Sequence, residues 1–124
     1  MERTDTKEAL FPLEENLKKA LTELLILHLL SEKDYYIGEL TETISQKSRG
    51  ALSIVFPYGA IYRLLQSGYI YESEKKTAPD GRRRQYFQIT ERGRTYERQL
   101  RSIYVRFSGG VASILGEGDE DDVR

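Results

Sequence analysis

The chain of 124 residues contains no cysteine, no tryptophan and a single histidine. Without cysteine neither a disulfide framework nor a thiolate metal site can form, and a reducing compartment suits the rest of the sequence. The histidine, His28, lies within the apolar run Leu24 to Leu30. It has no second imidazole with which to hold a metal, and it reads as a satisfied core or near-surface residue. A nucleophile with a base in reach, a glycine-rich phosphate loop and a metal-ligand cluster are all missing from the pattern, so neither enzymatic activity nor a cofactor is expected. The same apolar run is the longest in the chain and falls far short of the roughly 18 to 20 residues of a membrane span. Met1 to Lys7 is polar and leads into no signal-peptide apolar region. A cytoplasmic protein with no membrane partner is expected.

What the sequence does have is charge: 31% of residues are charged and 39% hydrophobic, on a length that allows one domain with one core. The net charge of −1 conceals a partition. Residues 1–48 hold 6 Lys and Arg against 10 Asp and Glu, a net −4. Residues 49–106 hold 12 against 5, a net +7, and residues 107–124 hold 1 against 5, a net −4. A basic middle between acidic ends can present a positive face to a polyanion whatever the total.

Residues 1–12 are expected as an arm or short helix. From Leu13 apolar residues recur at Leu17, Leu21, Leu24, Leu25, Leu27, Leu29 and Leu30, which predicts a helix over 14–31 with an all-round apolar, doubly buried end. Ile37, Leu40, Thr41 and Ile44 mark one face of a shorter helix over 36–46; residues 47–50 are a loop and 51–56 a brief extended segment. Pro57 opens a third helix, about Pro57 to Ser67, closed by Gly68. Ile61, Leu64 and Leu65 form its buried face. Residues 70–77 and 85–89 have strand character, with Phe87 and Ile89 on one face and Tyr86 and Gln88 on the other. Between them Ala78-Pro79-Asp80-Gly81 is a tight turn, so the pair is a β-hairpin. Thr90 caps a last helix. Gly109 and Gly110 either end that helix or allow a close crossing before it continues over Val111, Ile114 and Leu115. Residues 116–124, with four consecutive acidic side chains, read as a disordered tail.

Helix, helix, helix, hairpin, helix is the order of a winged helix-turn-helix, mostly α with a small β-hairpin, over 13–90, followed by a dimerisation helix over 91–115. In that arrangement the third helix enters a DNA groove, and Arg82, Arg83 and Arg84 at the hairpin tip reach phosphates or a narrow minor groove. Arg49 and Ser53 ahead of the third helix, and Tyr58, Tyr62 and Arg63 on it, complete the candidate surface for double-stranded DNA. Tyr96, Leu100, Ile103, Tyr104, Phe107, Val111 and Ile114, at spacings of threes and fours, are most simply the seam of a homodimer. Arg94, Arg98 and Arg101, on the polar face of the same helix, either join the basic surface or pair with acidic residues of the first helix. The other reading of the pattern is a winged-helix module that holds a protein partner without sequence-specific DNA binding.

Leu25-Ile26-Leu27, Tyr36 to Leu40, Tyr58 with Ile61 and Leu64 leading into Gly68-Tyr69-Ile70, the run Arg84 to Thr90, and Glu91-Arg92-Gly93 together resemble the PadR family of bacterial transcriptional regulators over about 21–100. Tyr36-Ile37-Gly38 stands where that family usually has Tyr-Gly-Tyr, and Ser53 to Tyr58 keeps only its first and last residues of the family's recognition-helix opening. The resemblance implies a repressor acting as a homodimer through its C-terminal helices, relieved in some members by small, often aromatic effectors. A twofold protein implies a pseudo-palindromic operator.

Overall fold

The structure is a computed structural model that describes residues 2–54 and 57–117, with side chains from Leu10 onward except that of Phe11. Its elements are α1 (Glu2–Leu30), β1 (Tyr35–Tyr36), α2 (Ile37–Lys47), α3 (Tyr58–Gln66), β2 (Ile70–Thr77), β3 (Arg83–Ile89) and α4 (Glu91–Leu115). One antiparallel sheet runs in the order β1-β3-β2.

The core follows from the apolar faces. Ile26, Leu27, Leu29 and Leu30 of α1 are buried on all sides, as the broad apolar end of that helix requires. Against them pack Leu40 and Ile44 of α2, Ala60, Ile61 and Leu64 of α3, and Ile70, Phe87 and Ile89 of the hairpin. Each fully buried large side chain stabilises the fold by about 1.5–3 kcal/mol before entropy is counted, so this cluster outweighs any surface ion pair. Tyr86, on the other face of β3, is buried too, edge-on to Tyr36 at 5.4 Å between ring centroids and under the Lys76 ammonium at 4.3 Å.

At the β3–α4 junction, the Thr90 hydroxyl accepts the Gly93 N–H at 2.9 Å, capping α4. Its own proton faces the carbonyls of Gly68 and Tyr69 at 2.8 and 3.1 Å, and its backbone N–H donates to the Tyr69 carbonyl at 3.0 Å. The first turn of α4 is thereby pinned to the segment between α3 and β2, where Tyr69 and Tyr96 stack with centroids 4.1 Å apart. Further along, Glu97 is buried and accepts from Arg101 Nε and Nη2 at 3.0 and 2.6 Å, with His28 Nδ1 at 3.3 Å, joining α4 to α1.

Several details differ from the sequence expectation. The first helix begins at Glu2, not near residue 14, and passes through Pro12. Proline deletes one backbone hydrogen bond, but helix formers flank it at Lys7 to Leu10 and Leu13 to Glu15 and keep the helix continuous. A third strand exists: Tyr35 and Tyr36 pair with Phe87 and Tyr86, so Tyr36 ends a strand instead of opening α2. Two residues are too few to show a period, and their partners are distant in sequence. Residues 51–54 are irregular instead of extended, and Val55 and Phe56 lie outside the described residues. The last helix runs unbroken through Gly109 and Gly110 and closes at Gly116, whose φ of 77° is the left-handed conformation common after helix C-termini. The expected tail lies, from residue 118 on, outside the described residues.

Candidate nucleic-acid interface

α3 is short, with Pro57 immediately before its first residue, and buries Ala60, Ile61 and Leu64. That burial turns the opposite face outward: Tyr58 and Tyr62, one turn apart, are 59% and 63% exposed. Rings this open are available to a partner rather than to the core. α2 leads toward them through a turn in which Arg49 and Gly50 both take left-handed φ values, 57° and 82°. For arginine this conformation is strained, by on the order of 1 kcal/mol. The Arg49 side chain is exposed. Ser53 is exposed as well, and its carbonyl accepts from Lys18 Nζ at 3.1 Å. Arg63 does not extend freely: its Nε donates to Glu23 of α1 at 2.7 Å.

The hairpin tip is built by its turn. Gly81 N–H donates to the Ala78 carbonyl at 2.9 Å and Ala78 N–H to the Arg82 carbonyl at 2.8 Å, with Gly81 at φ 86°. This is the short loop whose last residue must be left-handed, the reason glycine stands there. Asp80 accepts the Arg82 backbone N–H at 3.0 Å and Arg84 Nη2 at 2.6 Å. The Arg84 hydrogen bond first, and the Arg82 N–H second, hold the Asp80 carboxyl below the usual carboxylate range, and Asp80 raises Arg84 in turn.

The three arginines are therefore not equivalent. Arg84 is folded back onto Asp80, with its guanidinium 5.2 Å from the Tyr36 ring centre, and braces the wing. Arg83 donates to the Lys75 carbonyl at 3.1 Å, which anchors the side chain without neutralising it. The Arg82 side chain has no ion-pair partner among the described residues. Lys75 and Lys76, not singled out from the sequence, pair with Gln85 and Arg84 across the hairpin and add two cations to the wing.

Of the expected seam residues, Tyr96 and Leu100 pack inward against the core of their own chain. Ile103, Tyr104, Phe107, Val111 and Ile114 are exposed, the last at 86%, as are Leu10, Leu13 and Leu17 of α1. Among the described residues, Arg94, Arg98 and Arg101 form no ion pair with an acid of α1. Arg101 binds Glu97 and Arg94 lies 4.0 Å from Glu91, both within α4, while Arg98 donates to Thr95. For Arg94 and Arg101 an acid stands one turn back on the same helix, within easy reach. Among the described residues there is no group of side chains able to hold a metal and no helix long and apolar enough to cross a membrane.

The arrangement of helices and hairpin that carries these residues has counterparts among known proteins. The family model for PadR-like transcriptional regulators matches residues 26–99. The chain belongs to the PadR-like family. Its fold is that of a winged-helix, DNA-binding transcriptional regulator. A transcriptional regulator from Clostridium thermocellum is 26% identical, with a TM-score of 0.67 over 79% of this chain and 93% of that one. A PadR-like regulator from Bacillus cereus, 21% identical, shares the fold with a TM-score of 0.70 over 83% and 99%. A Lysinibacillus sphaericus protein called uncharacterized protein X is 30% identical over 77 residues, 61% of this chain and 71% of that one. The PadR-like match leaves out the first part of α1 and the last part of α4, where the exposed apolar side chains concentrate.

Proposed function

We propose that this PadR-like protein is a repressor that binds a pseudo-palindromic operator as a homodimer. α3 lies in the major groove with Tyr58 and Tyr62 toward the bases and Arg63 toward the backbone. The wing lies along the flanking backbone through Arg82 and Arg83, and Arg49 meets a phosphate beside α3. The exposed part of α4, from Ile103 to Ile114, is the dimer seam, with Tyr96 and Leu100 at its inner end. The observation that carries this reading is the open tyrosine face of α3 in a chain whose wing tip holds Arg82, an arginine with no ion-pair partner among the described residues. Phosphate contacts supply position and affinity while the helix supplies sequence choice.

The test is selection from a pool of genomic duplex fragments at 150 mM salt, followed by sequencing of what stays bound. Two half-sites about one helical turn apart are expected. Retention without a shared sequence, or no retention, contradicts operator recognition and favours a protein partner for the winged helix.

A further inference from the structure

A cleft of ≈ 600 Å³ separates the middle of α1 from the start of α3. Lys18, Lys19 and Thr22 line one wall and Ser53, Gly59 and Arg63 the other; Glu15, also at its edge, is paired with Lys18 at 3.0 Å. Lys18 further ties the cleft's ends together by donating to the Ser53 carbonyl. Two cations remain to face the opening. Lys19 is exposed and has no ion-pair partner among the described residues. Arg63 spends its Nε on Glu23, which leaves the guanidinium amino groups for another acceptor. Its Nη1 lies over Gly59, where a Cβ would stand 3.5 Å away, so the glycine keeps this wall low.

We infer that this cleft clamps one backbone phosphate of the duplex, between Arg63 and Lys19, and that Glu23 is a positioning residue that fixes the guanidinium for it. The inference rests on the DNA-binding reading above and adds to it a contact from α1. Gly59 and Arg63 are four residues apart on α3, and the row they form lies one residue step, about 100°, around the helix from Tyr58 and Tyr62. A duplex whose groove holds the tyrosines brings its flanking strand over this row. A planar fork held at one nitrogen presents the others in a fixed direction, which suits a phosphate better than a free side chain does. Glu15 is neutralised by Lys18, so the cleft keeps an excess of positive charge.

The experiment is fluorescence anisotropy with the full chain and a selected duplex, measuring log K against log salt for the wild type and for Lys19→Ala, Arg63→Ala, Glu23→Ala and Glu23→Gln, with thermal melts to establish folding. Lys19→Ala, at an exposed position, and Arg63→Ala are each expected to reduce the slope by about 1 per protomer. Glu23→Ala is expected to lose as much as Arg63→Ala, and Glu23→Gln, which still accepts from Nε, to bind at least as tightly as the wild type. Slopes for Lys19→Ala and Arg63→Ala equal to a steep wild-type slope overturn the clamp alone. Tighter binding by Glu23→Ala overturns the positioning role, because Glu23 would then compete with phosphate for Arg63. A wild type without salt-steep binding overturns the DNA reading itself, and the clamp with it.

Discussion

A methyl group on Gly93 would stand 2.0 Å from the carbonyl oxygen of Tyr69 and 2.8 Å from Ile89 Cγ1. Neither neighbour can yield cheaply, since Tyr69 O accepts the Thr90 N–H and Ile89 belongs to the core. The glycine of Glu91-Arg92-Gly93 is thus a point of close approach in the docking of α4 on the winged helix. Gly93→Ala is expected to lower stability by about 1–3 kcal/mol in urea unfolding, despite the gain in helix propensity, because overpacking against backbone outweighs it. An unchanged midpoint would mean that α4 can shift without loss.

The wing arginines are expected to separate by role. Arg82→Ala should leave the thermal melt unchanged and reduce the salt dependence of DNA binding by about 1 per protomer. Arg84→Ala should instead remove the guanidinium that Asp80 and the Tyr36 ring share and broaden the amide signals of the hairpin tip, with a smaller change in salt slope. Anisotropy and amide spectra on the two single variants check this; equal effects on both readouts would contradict the division.

Acid should loosen the same turn. Asp80 in the folded chain has its carboxyl lowered below its ordinary value of 3.8, by Arg84 first and by the Arg82 N–H second. A lowered folded value means that the brace is complete above the ordinary carboxylate range and is lost as pH falls through the lower folded value. Binding and wing order should therefore be flat with respect to this group from pH 5 upward. The Gly81 and Arg82 amide signals should move only below about pH 4, and Asp80→Asn should abolish that step.

The exposed row Ile103, Phe107, Val111 and Ile114 is expected to hold the homodimer. Phe107→Asp with Ile114→Asp should shift sedimentation from dimer to monomer at micromolar concentration while leaving the winged-helix melt nearly intact, since neither side chain reaches the core. A wild type that sediments as a monomer would remove the seam.

Legibility in the sequence followed the range of the interaction. α2, α3, the hairpin and its turn were readable because their signals are local: Leu40 and Ile44 share a face, Pro57 and Gly68 bracket α3, and Asp80-Gly81 demands one loop geometry. The strand Tyr35–Tyr36 was not, because its only support is β3, some fifty residues away. The candidate site was legible as a set of cations and aromatics but not in its internal arrangement. Whether Arg82, Arg83 or Arg84 is free depends on where Asp80 and the Lys75 carbonyl fall across the turn, and the hold of Glu23 on Arg63 joins residues forty positions apart. Glu97 carries no local signal of its burial, since its partner outside α4, His28, is 69 residues away.

Binding of duplex DNA through the basic surface of the winged helix is expected of this chain despite its net charge of −1. It is tested most directly by titrating salt against the affinity of the wild-type protein for a selected duplex. With about 6 to 10 phosphates engaged per dimer, affinity should fall by about 10³ to 10⁵ between 50 and 200 mM salt. Affinity that changes little over that range would contradict it, and would leave the arginines of the wing as a solvated turn.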